Sequence, residues 1–291
     1  MRVRLRDGRE EERVTGQERV LSVLYGTAFG RRLLGHLVKP GFSRLGGRFL
    51  STRLSALFAV PFRKIHHISL SGCVKTHFTS FNDFFMRELQ AGERTFPDGP
   101  EAFGSPCDGR VTHVPVDDEA RFLIKGTTYT MKSLLRDERL ADKYAGGDML
   151  ILRLSVEDYH RYAFPVSGVT TPVRRIDGVY HTVNPMACEK YPVYKENTRT
   201  YQILRNPVFG DILYMEVGAL LVGKIVNRFG KCRAKKGMEK GHFAFGGSTV
   251  VLMFEKGRAK IAKDLIKNSL DGFETYVSMG EKIAEAGRKA L

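Results

Sequence analysis

The stretch GHFAFGGSTVVLMFEKG, residues 241–257, sets two glycines directly before a Ser-Thr pair and follows them with an apolar run from Val250 to Phe254. The run STVVLMF reads as a strand. The glycine pair is a poor way to enter one, because glycine is entropically costly there and offers no side chain to pack. The pair marks either a bulge at a sheet corner or a place where another group must come very close to the backbone.

Working outward, runs of the same texture fill the chain after Pro106: RVTHVPV (110–116), DMLILRLS (148–155), GVTTPVRRIDGVYHTV (168–183) and DILYMEVGALLVGKIV (211–226). Gly, Pro and Asp-Gly punctuate them. Within that half, TMKSLLRDERLADKY (130–144) and the closing GEKIAEAGRKA (280–290) read as helical. Up to about residue 95 helical spacing dominates, and FNDFFMREL (81–89) reads as a short helix with an Asn start signal. The pattern predicts an α+β chain, with a helical region over residues 1–95 and a mainly antiparallel β-sandwich over residues 96–291. The regular β-α alternation of a doubly wound sheet is not there.

The 291 residues are 42% hydrophobic and 27% charged, as in a soluble globular protein. The longest nearly apolar stretch of the N-terminal part, LSALFAVPF (54–62), is too short to span a bilayer, and MRVRLRDGREEERV does not read as a cleaved secretory signal. Cys73, Cys107, Cys188 and Cys232 lie far apart without a CxxC, which predicts reduced thiols and no disulfide framework. The net charge of +15 is unevenly spread: Arg19 to Asn82 carries Lys and Arg throughout and no Asp or Glu. Apolar positions there fall in helix-compatible clusters, such as Val20, Leu21 and Leu24, then Leu33, Leu34 and Leu37. Basic amphipathic helices suit an anionic membrane surface, since apolar burial and charge attraction reinforce each other. Ordinary packing of N-terminal helices would leave the same pattern. Nucleic acid is the weakest alternative, because no RNP motif, zinc-finger spacing or recognition helix accompanies the charge.

Three clusters combine turn residues with reactive side chains. SPCDG (105–109) places Asp108 in a Pro-to-Gly turn, although Asp-Gly is also a common structural turn. SVEDYHRYAFPVSG (155–168) puts His160 in a loop at a strand end, where sites often lie. The third cluster is Ser248 behind its glycines. No GxSxG elbow is present, so Ser248 is not an α/β-hydrolase nucleophile. IHHIS (65–69) and CVKTH (73–77) match no common metal-ligand spacing, and KGMEKG (236–241) lacks the rest of a P-loop. An Asp, a His and a Ser on separate loops fit a charge relay if they meet in space.

Taken together these stretches resemble the phosphatidylserine decarboxylase family. FNDFFMRELQAGER (81–94), SPCDG, IKGTTYTMKSLL (124–135), DYHR (158–161), HTVNP (181–185), KENTR (195–199), VGALLVGKI (217–225) and KGMEKGHFAFGGST (236–249) follow one another in family order, and KEN with GGST suggest its shorter bacterial type. The resemblance implies that Ser248 attacks the carbonyl of Gly247 and that the chain parts there into residues 1–247 and 248–291, which stay associated. The new N-terminus becomes a covalent pyruvoyl group, the only cofactor implied, which condenses with the substrate amine as a Schiff base. Pyruvoyl-dependent decarboxylation of phosphatidylserine to phosphatidylethanolamine follows. Asp108, His160 and Ser248 are the catalytic residues carried over. The family usually reads Asp-Tyr-His-x-x-His, and the second histidine is Ala163 here, which leaves His160 or His181 as the base for self-cleavage.

The expected protein is therefore a self-processing carboxy-lyase, peripheral on the cytoplasmic side of the cell membrane, with anionic lipid as partner, no metal and no nucleic acid. A homodimer is compatible with this reading. A pyruvoyl decarboxylase of a soluble amino acid, or an uncleaved lipid-binding relative, are the alternatives.

Overall fold

The computed structural model describes residues 2–12, 16–124, 126–188, 191–220, 224–244 and 248–287. Ser248–Phe254 is a strand buried at all seven positions, as the apolar run Val250–Phe254 within it requires. It lies between Gly210–Val217 and Asp148–Leu154, antiparallel to both. These are the centre of an eleven-stranded sheet. On one side it continues through Arg199–Asn206 and Gly168–Thr170 to Arg233–Ala234, and on the other through Gly109–Pro115, Glu274–Val277 and Arg2–Arg4 to Glu10–Glu12. Arg174–Ile176 pairs with Arg199–Asn206 off this path. Among the described pairings of this sheet only Arg2–Arg4 with Glu274–Val277 is parallel.

Strand alternation puts Ser248, Val250, Leu252 and Phe254 on one face. Two three-stranded sheets cover it. The first joins Ile225–Asn227, Glu239–Phe243 and Arg161–Ala163, and Tyr162 packs 6.3 Å from Tyr214 between the layers. The second joins Ala259–Ile261, Lys282–Ala286 and Ala102–Gly104, with Phe103 edge-on to Phe254 at 5.0 Å. Thr249, Val251 and Met253 share the opposite face with Arg199 and Tyr201. There the helix Met131–Leu135 takes hydrogen bonds on its carbonyls from Arg199 Nε and Tyr201 Oη. Each large apolar side chain sealed between these layers contributes roughly 1.5–3 kcal/mol.

The helical part comprises Gly16–Gly26, Ala28–Leu37, Pro40–Leu50, a 3-10 turn at Arg53–Phe58 and Ala59–Ile65. Thr27 caps the second of these by accepting from the Gly30 N–H at 2.9 Å. A small second core of Ala59, Ile68, Phe81, Phe84 and Phe85 fastens this region to the short helix Phe81–Phe85. No helix among the described residues is long and apolar enough to cross a membrane.

The α+β class and the antiparallel pairing agree with the sequence. The β part is one large sheet with small sheets against its face. Three local expectations are corrected. The cap of Phe81–Phe85 is Ser80, which accepts from the Asp83 N–H, while Asn82 turns inward to Ser51 Oγ. The closing segment is the strand Lys282–Ala286, because two partner strands satisfy its backbone and outweigh its helical residues. The helix Lys263–Leu270 stands where none was expected.

Candidate functional site

Ser248 opens the central strand opposite Leu154. It is fully buried, and its Oγ has no hydrogen-bond partner among the described residues. A buried hydroxyl left unsatisfied costs about 1–3 kcal/mol, so its persistence calls for an explanation. Gly246 and Gly247, the rest of the expected cleavage motif, lie outside the described residues. Thr249 points to the opposite face of the strand.

Beyond Leu154 the chain turns through residues 155–160. Asp158 anchors that turn: Ser155 N–H and Arg110 Nη1 donate to its Oδ2, at 2.6 and 2.7 Å. Burial pushes this carboxyl up to about 6, against the opposing pull of Arg110. His160 is fully buried, with its ring centroid 3.9 Å from that of Phe85. Its Nδ1 lies 2.9 Å from the Asp158 carbonyl oxygen. A carbonyl only accepts, so Nδ1 carries the proton and Nε2 of the neutral ring keeps its lone pair. The His160 carbonyl accepts from Phe243 N–H at 2.9 Å, tying the segment before the glycine pair to this histidine.

Asp108 is also buried. Arg94 donates Nε to Oδ1 at 3.0 Å and Nη2 to Oδ2 at 2.7 Å, and Met279 N–H adds 2.7 Å to Oδ1. The following Gly109 leaves no room for a Cβ, which would come within 2.9 Å of the Arg153 carbonyl of the adjacent strand. The same turn reaches the departure from the family pattern. Ala163 donates its N–H to the Pro106 carbonyl at 2.8 Å, and its carbonyl accepts from Tyr214 Oη at 3.1 Å.

His181 reaches the neighbourhood from the other side of the strand. Asn197 Nδ2 donates to both the His181 and the Gly218 carbonyls at 2.8 Å, and Gly218 follows Val217, the partner of Thr249. The His181 ring stacks on Tyr191 at 4.7 Å, and burial lowers its pKa, so it is neutral at pH 7.

Sequence reading missed Arg94 as the partner of Asp108, although Arg94 closes the quoted stretch FNDFFMRELQAGER. It also missed a buried network on the face of Ser248. Lys240 Nζ donates to Glu216 Oε1 at 2.5 Å and Asn227 Oδ1 at 2.7 Å, and Thr200 Oγ1 donates to Glu216 Oε2 at 2.6 Å. Glu216 sits opposite Val250, two residues along from Ser248. KGMEKG carried that signal, a lysine inside a strand.

The phosphatidylserine decarboxylase family model matches residues 81–285. The chain is 41% identical over 266 residues to "Phosphatidylserine decarboxylase proenzyme 2" of Clostridium acetobutylicum, covering 91% of each chain. It is 43% identical over 279 residues to the phosphatidylserine decarboxylase proenzyme of Ruminiclostridium cellulolyticum, covering 94% of this chain and 92% of that one. A proenzyme of the same name from Chlamydia muridarum is 39% identical over 265 residues.

Proposed function

Because the chain belongs to the phosphatidylserine decarboxylase family, and is a self-processing carboxy-lyase acting on phosphatidylserine, we propose that Ser248 is both its self-cleavage nucleophile and the source of a covalent pyruvoyl group, served by His160 and Asp108. The observation that carries this is the buried Ser248 Oγ, with no partner among the described residues at the start of the central strand. The large majority of buried hydroxyls have one, and this one opens the strand at the expected cleavage position.

Self-cleavage needs a base, and His160 suits it. The Asp158 carbonyl fixes its tautomer, so that Nε2 is the basic nitrogen. The Ser248 proton passes to that base as Oγ bonds to the Gly247 carbonyl carbon. The carbon–nitrogen bond then breaks as the base returns its proton to the Ser248 nitrogen, turning the peptide into an ester. Removal of the Ser248 α-proton expels the ester carboxylate and opens the chain, leaving an N-terminal dehydroalanine that water hydrolyses to the pyruvoyl group with loss of ammonia. His181, neutral and tied to Gly218 through Asn197, is the alternative base. Asp108, saturated by Arg94 and Met279, fixes the turn that abuts the Ala163 backbone. The pyruvoyl group made from Ser248 would supply an electron sink when the substrate carboxylate leaves as carbon dioxide. Both flanking strands hold Ser248–Phe254, which keeps residues 1–247 and 248–291 together after the cut.

The helices bring the protein to its lipid. Phe29, Leu45, Leu54, Leu57 and Ile65 are each at least two-thirds exposed, in a region with basic residues and no acidic ones. Such a face lies on an anionic bilayer without entering it deeply, as a peripheral protein does.

Intact mass spectrometry of the purified protein tests the reading. Residues 248–291 should appear as a separate chain beginning with pyruvoyl, and His160→Ala should stop its formation while His181→Ala leaves it. A single unbroken chain from an active host would defeat the proposal, and cleavage untouched by either substitution would remove both bases.

A further inference from the structure

At the sheet end where Gly109 and Ser248 lie, a cleft of about 910 Å³ opens among Arg87, Arg94, Arg110, Asp108, Tyr159 and Tyr276. Two of its three arginines are already neutralised. Arg94 spends Nε and Nη2 on Asp108, and Arg110 spends Nη1 on Asp158 and Nη2 on Glu157. Arg87 differs. It is 6% exposed, yet no carboxylate among the described residues lies within ion-pairing distance of it. Its Nη2 donates to the carbonyls of Glu157 and Asp158 at 3.2 Å, and its Nη1 has no partner among the described residues. Burial lowers its pKa, the mark of a charge kept out of water. A buried cation without an anion is costly unless an anion arrives.

We propose that Arg87 receives the phosphodiester of the phospholipid substrate, through an N–H group that nothing else in the described cleft engages. The substrate has two anionic groups, and the chemistry selects between them. Its carboxylate departs as carbon dioxide, so a cation bound to it would hold the ground state more tightly than the transition state and oppose the reaction. The phosphodiester keeps its charge throughout, and a cation there binds ground and transition states alike. A planar guanidinium also suits phosphate oxygens. Nη1 is covered in this structure, so the guanidinium must turn to present it to an anion in the cleft.

The location agrees with this assignment. Residues 65–69 line the same cleft, and they follow directly from Ala59–Ile65, whose Val60 and Ile65 are exposed. The mouth of the cleft therefore borders the apolar, basic face of the helices, where a lipid headgroup would arrive.

The inference rests on the decarboxylase activity and is independent of which histidine is the base. Its test uses the full-length, self-processed protein, with chain cleavage read on a gel as the control for folding. Arg87→Gln should raise KM for phosphatidylserine in mixed micelles about ten- to a hundredfold, as expected for one lost charge-assisted hydrogen bond. The kcat at saturation should stay within about twofold, the signature of uniform binding. Arg87→Lys should recover part of the loss. A soluble probe covers the case in which the Gln variant fails to process. Glycerophosphoethanolamine, which has the phosphodiester and no carboxylate, should compete with substrate in the wild type, and at least about threefold more weakly in Arg87→Lys. Acetate, the carboxylate probe, should not compete. A fall in kcat at unchanged KM, equal competition by the phosphodiester in wild type and variant, or competition by acetate alone would each overturn the proposal.

Discussion

Arg94 holds Asp108 by both carboxylate oxygens, with Nε on Oδ1 at 3.0 Å and Nη2 on Oδ2 at 2.7 Å. The carboxylate is nearly sealed from water while the guanidinium is about a quarter exposed. Removing the arginine therefore leaves a buried charge with the Met279 N–H as its remaining described donor. Arg94→Leu should cost about 2–4 kcal/mol in urea unfolding, more than Asp108→Asn, which removes the charge itself. Because the turn bearing Asp108 abuts Ala163, both substitutions should slow self-cleavage on a gel. Processing of Arg94→Leu at the wild-type rate would show that the geometry of Asp108 is dispensable.

A second buried pair, Lys240 with Glu216, lies on the face of Ser248. Each side chain is fully enclosed, and the Lys240 ammonium sits 4.8 Å from the centre of the Tyr214 ring. Glu216→Leu or Lys240→Met alone strands the other charge and should cost about 3–5 kcal/mol. The double substitution Glu216→Leu with Lys240→Met should recover most of that loss, since an apolar replacement of a buried pair is often close to neutral. A double-mutant cycle in urea measures this. Additive losses would mean that the two charges do not depend on each other.

These pairs also show where the sequence stopped being legible. STVVLMF and DMLILRLS were readable as strands because each holds an apolar run, Val250–Phe254 and Met149–Leu152, and both are buried at the sheet centre. Arg199–Asn206 is buried over its first six positions in the same sheet, but its sequence, RTYQILRN, begins and ends with polar groups and gave no such signal. Arg199 is fully buried because it serves backbone carbonyls of residues 133, 134, 195 and 197, contacts that exist only after folding. In the site, Ser248 and Asp108 stood out by their glycine neighbours. The partners Arg94 and Arg110 did not, since nothing in a lone arginine says which carboxylate it will meet.

Asp158 supplies a pH test. Its carboxyl is raised by burial from 3.8 to about 6, so between those values the folded protein holds a proton that the unfolded chain has lost. That contribution to stability is present at low pH and disappears as pH rises through about 6. The stability of the wild type minus that of Asp158→Asn should therefore fall between about pH 4 and pH 6, by up to roughly 3 kcal/mol, and be level above. Urea unfolding of both proteins at several pH values reads the difference. A flat difference across that window would mean that Arg110, 2.7 Å away, outweighs the burial.

The proposed membrane face depends on side chains with no structural duty. Leu54 and Leu57 are 72% and 75% exposed on the turn Arg53–Phe58, next to Arg53, Arg63 and Lys64. Inserting each leucine at the level of the lipid headgroups removes apolar surface from water, worth up to about 1.5–3 kcal/mol per side chain. The neighbouring cations add about 1 kcal/mol each on an anionic surface at low salt. Leu54→Asp with Leu57→Asp reverses the first effect and opposes the second. Co-sedimentation with phosphatidylserine-containing vesicles should fall at least about tenfold for the pair. Thermal stability should be unchanged, because neither residue is part of a core. Wild-type binding should also weaken in high salt, as the electrostatic share is screened. Undiminished sedimentation of the double variant would place the lipid contact elsewhere on the protein.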